Sequence, residues 1–306
     1  MKIFRNRGDI YIPKSDYKKS REETVLKVIL IVIIVFTVVF LALLSHKYKN
    51  ASQFFGEGEV STSQAVSNEQ ELPKISGKTN FIIFETDDKK EIIHYIMLVQ
   101  ADKDSKAYKV CSLSPNTKID NQSILEIYQN GGGASLQTRL TEYFGFEIDC
   151  FADFDNSSFI EFASKMGSFV YNSYEDIRFS GGTGDDKYTL RVSEGEQSIN
   201  SKELSNILRY YSLEKKDYSL ENRAFLAALT QVFNEDNYEN CDYLFRLFIK
   251  STSSNITVRD FENEKNALFY FCSKNEDITL YSAQCEYESN VLTQQSVKEI
   301  KGYFKK

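Results

Sequence analysis

Asn80-Phe81-Ile82-Ile83-Phe84-Glu85-Thr86-Asp87 is the stretch from which the fold can be read. Four consecutive apolar residues closed by a polar, acidic end predict a short strand covered on both faces, as in the middle of a sheet. Two further apolar runs follow, Tyr95 to Ala101 and Ala107 to Ser112. The polar turn Asp102-Lys103-Asp104-Ser105 joins them into a predicted hairpin. Gly131-Gly132-Gly133 then leads into a helix with Leu136, Leu140 and Phe144 on one face and Gly145 as its C-terminal cap. Glu147 to Phe154 reads as a strand. Asp155 and Asn156 can cap a helix that carries Phe159, Phe162 and Ala163 and stops at Gly167. Beyond a glycine-rich loop (Gly181-Gly182, Gly184-Asp185-Asp186), Tyr188 to Val192 predicts a strand, and helices start at Ser201 and Asn222. The tail predicts a helix near Tyr243–Ile249, strands at Ala267–Cys272 and Ile278–Tyr281, and a last helix around Val297–Phe304. The glycines at 181–184 serve turns, because no GxxxxGK phosphate-loop pattern accompanies them. Strands alternate with helices throughout, so the predicted class is α/β, a mixed β-sheet sandwiched by helices.

Working back toward the N-terminus, residues 46–78 are polar and carry no apolar period, which predicts a linker. Residues 25–45 predict one transmembrane helix: from Val28 to Leu44 every residue except Thr37 is apolar, close to the ~20 that a spanning helix needs. Residues 1–24 are basic, and the positive-inside rule places them in the cytoplasm, with residues 79–306 as an extracytoplasmic domain of a single-pass cell-membrane protein. The end of the apolar run lacks the small-residue pattern of a cleaved signal peptide, which favours an uncleaved anchor.

Residues 1–49 carry ten Lys/Arg against four Asp/Glu, while the whole chain is −7, which leaves residues 50–306 at −13. So acidic a domain excludes nucleic acid as an expected partner. The five cysteines (Cys111, Cys150, Cys241, Cys272, Cys285) show no CxxC spacing, which argues against zinc. An odd number cannot all pair within one chain. Cys111, Cys150 and Cys272 lie in apolar runs and read as buried thiols, and connectivity stays open.

The order of these elements and several strings resemble the LytR–CpsA–Psr family. The resemblance runs over roughly residues 79–306. Asn80 to Asp87 is similar to the family's opening strand. Met97-Leu98-Val99, Asp102 to Lys106 and Val110 to Leu113 are similar to its hairpin, and Tyr128 to Gly132 with Leu140 to Asp149 to its helix and next strand. Phe154-Asp155, Gly195 to Asn200, Leu208-Arg209-Tyr210, Asp217-Tyr218 and Arg223 continue it into the arginine-bearing segment. The family's members are membrane-anchored proteins that move glycopolymers from a polyprenyl-pyrophosphate lipid to the cell wall. The resemblance implies Asp87 as a catalytic residue and Mg²⁺ ligand, and Arg209, Arg223 and Asp217 as substrate-binding residues, the two arginines also being catalytic. Arginine forks suit a pyrophosphate leaving group because they stay charged and bind two oxygens at once. A carboxylate-held Mg²⁺ would neutralise the phosphates. The implied partners are the membrane and a polyprenyl-linked glycopolymer or peptidoglycan.

The sequence also departs from that pattern. Ile92-Ile93-His94-Tyr95 stands where the family has Arg-Ser-Asp-Thr, and Ser114-Pro115-Asn116-Thr117 where it has Pro-Arg-Asp-Thr. Tyr211 replaces the arginine beside Arg209, and Glu85 adds negative charge where phosphate approaches. His94, between Ile93 and Tyr95, reads as a structural strand histidine. Losing one placed charge contact can cost ~10²–10³ in rate. The expectation is therefore a divergent envelope protein with reduced or lost phosphotransferase activity; the alternative is a membrane-anchored non-catalytic binding or regulatory module.

Overall fold

The computed structural model describes residues 72–305. The basic N-terminus, the transmembrane helix expected at 25–45 and most of the linker expected at 46–78 lie outside the described residues. Among the described residues no helix is long and apolar enough to cross a membrane.

In chain order the elements are β1 (Lys78–Thr86), β2 (Ile93–Asp102), β3 (Ala107–Leu113), the short pair β4 (Lys118–Ile119) and β5 (Gln122–Ser123), α1 (Ile124–Phe144), β6 (Cys150–Asp155) and α2 (Asn156–Ser164). Then come β7 (Phe169–Ser173), β8 (Ile177–Gly181), β9 (Tyr188–Val192), β10 (Gly195–Ile199), α3 (Ser201–Arg209), a π-helical turn (Tyr210–Lys215) and α4 (Tyr218–Val232). The remainder comprises α5 (Glu235–Glu239), α6 (Cys241–Ser251), β11 (Ser253–Ser254), α7 (Val258–Ser273), β12 (Thr279–Ser282), β13 (Tyr287–Glu288), β14 (Val291–Leu292) and α8 (Gln294–Phe304).

Six strands form the central sheet in the order β11-β6-β1-β2-β3-β12. It is mixed: β1 runs parallel to β6 and β12 parallel to β3, while β2 pairs antiparallel with both neighbours. Side-chain alternation along β1 divides the core. Ile82 and Phe84 pack with Leu136 and Leu140 of α1 and Ile300 and Phe304 of α8. Phe81 and Ile83 face the other way, toward the layer that holds Leu204 and Ile207 of α3, Phe225 of α4 and Phe271 of α7. Helices thus cover both faces, as the apolar run at 81–84 predicts.

The hairpin forms as expected. Asp102 Oδ1 accepts the Ser105 amide at 3.0 Å, and Lys106 takes a left-handed φ of 54°. α1 starts seven residues earlier than the glycines suggest, because Ser123 and Glu126 make a reciprocal capping box. Gly132 kinks it, and the kink lets Gly133 lie where a Cβ would meet the Phe151 ring at 2.6 Å. Gly145 caps the helix in the left-handed region, as expected. One expectation is corrected: Ala267–Cys272 is not a strand but the last part of α7. Its start signal is the Thr257–Asp260 capping box, far upstream of the apolar run. A short apolar run cannot by itself distinguish a buried strand from a buried helix.

Candidate functional site

β1 and β6 run parallel and end side by side, with Glu85 opposite Phe154 and Thr86 opposite Asp155. In open α/β sheets the crevice beyond the carboxyl ends of parallel strands is where ligands bind. Here that end holds a buried polar network. Glu85 follows Phe81 and Ile83 on the same face of β1 and is wholly buried. Opposite it, β2 carries a bulge: Glu85 pairs with Tyr95 but Thr86 with Ile93, so His94 is the extra residue. The bulge turns His94 onto the face of Glu85, the re-aiming that bulges perform beside functional sites.

His94 Nδ1 lies 2.8 Å from Glu85 Oε1, and its Nε2 lies 3.0 Å from Asp186 Oδ1. Both ring nitrogens therefore face carboxylate oxygens, and each contact needs a proton, carried by the ring or by the acid. Glu85 Oε1 also accepts Asn156 Nδ2 at 2.7 Å and Ser205 Oγ at 2.9 Å, while Glu85 Oε2 is buried without a partner. Ser205 and Arg209, four apart on α3, share one helix face and point into the same place. Arg209 is 4% exposed; its Nη1 donates to Asp186 Oδ1 at 2.9 Å and its Nη2 to Asp186 Oδ2. The guanidinium sits over the Tyr188 ring, 4.2 Å from its centre.

Asp186 reaches Arg209 from a tight turn at Gly184–Asp186. Gly182 makes the approach possible: at φ +77° it passes so close that a Cβ would meet Asp186 O at 2.1 Å and Arg209 Nη2 at 3.0 Å. The glycines of this loop thus let the backbone fold over the arginine.

The residues expected to act together are dispersed into separate tasks. Asp87 is 5% exposed; its Oδ1 accepts the amides of Glu91 and Ile92 at 2.7 Å each and its Oδ2 that of Lys89 at 3.3 Å. It closes the β1–β2 turn. Asp217 caps α4 by accepting the Leu220 amide at 3.0 Å. Arg223 is exposed on α4, its guanidinium 3.6 Å from the centre of the Tyr174 ring. Among the described residues no ion pair joins Asp87, Arg209, Asp217 and Arg223 to one another. Tyr211, which stands in place of a second arginine, is wholly buried and bonded to the Tyr171 hydroxyl at 3.3 Å; burial pushes its phenol far up.

Asp87, the expected Mg²⁺ ligand, turns both oxygens to backbone amides of its own turn, two on Oδ1 and one on Oδ2, which leaves acceptor capacity on Oδ2 alone. Among the described residues no group of three or more acidic, His or Cys side chains gathers for a metal. The nearby Asp153 accepts Tyr128 Oη at 3.0 Å and Lys90 Nζ at 3.2 Å, both on Oδ2, while its Oδ1 is buried without a partner.

Beside the network, the same sheet face borders an apolar cavity of about 260 Å³ lined by Phe81, Ile83, Val99, Leu229, Phe248 and Phe271. Ile83 lines it and Glu85 is the next residue on that face, about 7 Å farther along the strand. Lys103 and Glu264, also in the lining, pair at 2.7 Å.

Sequence reasoning singled out Arg209 but not the cluster around it. The signal available was Glu85: a carboxylate in phase with Phe81 and Ile83 must be buried, and a buried charge needs partners.

No family model matches the chain, and no curated protein matches it. Solved structures do match. A Eubacterium siraeum protein named as a transcription regulator is similar with a TM-score of 0.66 and 17% identity, over 79% of this chain and 97% of that one. TagV of B. subtilis is similar with a TM-score of 0.58 and 14% identity, over 74% and 96% of the two chains. TagT bound to LI-WTA is similar with a TM-score of 0.55 and 12% identity, over 78% and 93%. TagV and TagT are LytR–CpsA–Psr enzymes, so the fold of residues 72–305 is LytR–CpsA–Psr-like. At these identities the likeness establishes the fold alone.

Proposed function

We propose that this chain is a membrane-anchored, extracytoplasmic protein of the cell envelope that binds a polyprenyl-linked glycopolymer without transferring it. The observation that carries this reading is the Asp186–Arg209 pair: one carboxylate takes both terminal nitrogens of the arginine whose position matches the family's phosphate-binding segment. A pyrophosphate needs that fork free. The apolar cavity beside the network supports the lipid half of the reading, since such a cavity suits a hydrocarbon chain. The TagT neighbour bound to LI-WTA supports a glycopolymer as the ligand class. The charge of −13 over residues 50–306 opposes a nucleic-acid partner, despite the regulator name of one neighbour.

The test is binding of a polyprenyl-pyrophosphate analogue to the full chain in detergent, with and without Mg²⁺, in wild type, Asp186→Asn and Arg209→Ala, together with assay of pyrophosphate-lipid release. The expected result is binding by wild type without release, and tighter binding in Asp186→Asn, where Arg209 is freed. Release by wild type that Arg209→Ala abolishes would overturn the non-catalytic reading. Absence of binding by folded wild type would overturn the ligand.

A further inference from the structure

Two cysteines distant in sequence meet beside the central sheet. Cys111 lies in β3 and Cys285 just after β12, 174 residues apart in sequence, yet their Sγ atoms are 3.1 Å apart. That is about 1 Å beyond the ~2.04 Å of a disulfide bond. The backbones on both sides are fixed. β12 runs parallel to β3 in a register that sets Ser282 against Val110, and the Ala283 amide donates to Val110 O at 2.9 Å. Asn222 of α4 clamps the two segments together: its Oδ1 accepts the Ser112 amide at 2.7 Å and its Nδ2 donates to Ala283 O at 2.9 Å. Each cysteine therefore sits within two residues of a backbone group that the Asn222 clamp holds.

We propose that Cys111 and Cys285 are a disulfide-forming pair, whose closure fastens the C-terminal segment covalently to the central sheet. The reading is independent of any ligand at the polar network. Cys285 is half-buried and reachable, whereas Cys111 is wholly buried. The hydrogen bond to Cys285, and then burial, pushes the Cys111 thiol up, so Cys285 is the sulfur that meets an oxidant first. With a small-molecule disulfide such as oxidised glutathione, the Cys285 thiolate attacks one sulfur of the oxidant, forming a mixed disulfide and expelling one thiol. Cys111 then attacks Cys285 Sγ, breaks the mixed disulfide and expels the second thiol. The protein loses two electrons and two protons. The oxidant's disulfide is reduced to two thiols, which take up both.

The experiment uses the full chain in detergent, folded and without reductant, before and after incubation with oxidised glutathione. Free thiols are capped with N-ethylmaleimide under denaturing conditions, and the digest is read by mass spectrometry. The expected result is a peptide pair joined through Cys111 and Cys285, lost on reduction and absent from Cys285→Ser, with Cys150, Cys241 and Cys272 capped. A folded protein whose Cys111 and Cys285 are both fully capped after oxidation overturns the proposal, as does linkage of either to another cysteine. Because substitution at buried Cys111 can prevent folding, the second readout uses Cys285→Ser: reductant lowers the thermal midpoint of oxidised wild type and leaves that of the variant unmoved. An equal shift in both overturns the cross-link as a structural bond.

Discussion

Asp186 holds both terminal nitrogens of Arg209, one carboxylate against one guanidinium, with the arginine 4% exposed. The pair is a folding element as well as a block on the fork. Removing either partner strands the other charge in a poorly solvated place, at about 3 kcal/mol each. Asp186→Ala and Arg209→Ala are expected to lose that much singly, and the double variant much less than their sum. Denaturant unfolding of the three variants gives the coupling; strict additivity would count against the pair as an energetic unit.

Gly182 tests the same contact from the backbone. At φ +77°, and with Asp186 O only 2.1 Å from where a Cβ would stand, Gly182→Ala is strained and crowded at once. A loss of ~1–3 kcal/mol is expected. Anion affinity should rise as in Asp186→Asn, because the displaced turn releases Arg209. Titration with a pyrophosphate analogue checks this; unchanged affinity would mean that the turn moves without releasing the fork.

His94 Nδ1 lies 2.8 Å from Glu85 Oε1 inside the protein. His94→Ala is expected to cost ~3–5 kcal/mol, because it leaves a buried carboxylate short of its partner. Adding Glu85→Gln removes the stranded charge and should recover part of the loss. A double variant no more stable than His94→Ala in urea melts would show that Glu85 is not the charged partner.

Asp102 gives a pH dependence with a defined sign. Burial opposes its ionisation, but the Lys109 ammonium and the Ser105 amide outweigh it and hold the carboxyl down from 3.8 to about 2. A depressed folded value contributes stability that is present above pH ~4 and lost as pH falls toward 2, about 2 kcal/mol in all. Asp102→Asn should flatten the acid limb of the stability–pH curve in that window.

Glu221 has the opposite sign. It is wholly buried with neither carboxyl oxygen partnered, and burial pushes its pKa well above 4.5. The native state thus keeps a proton that the unfolded state releases, and stability declines as pH rises above that value. Glu221→Gln is expected to be more stable than wild type at neutral pH and equal to it at about pH 4, below both values. Equal stability at both would place a charged, compensated carboxylate there instead.

The sheet was legible because its signals are local. Phe81 to Phe84, the 102–105 turn and the cap at Gly145 each depend on neighbours in sequence, and each forms as read. Ala267–Cys272 misled because six apolar residues fit either a strand or a buried helix, and the deciding capping box lies ten residues upstream. Of the site, Arg209 was legible as a position and not as a contact. His94 reads as facing the wrong way until a bulge shifts it, and Asp186 reads as a surface turn residue until Gly182 brings it in.

By itself, then, the sequence determined the elements, the class of the fold and the acidic balance of the domain, because hydrophobic period, caps and charge are properties of short stretches or of the whole composition. Only the tertiary structure decided which charges meet. Glu85, His94, Asp186 and Arg209 are brought together by a strand bulge, a helix face and a loop over 124 residues of chain. Cys111 and Cys285 are brought together by a parallel strand pairing. Electrostatic and thiol chemistry act over a few ångströms, and distance of that order between remote residues is set by packing.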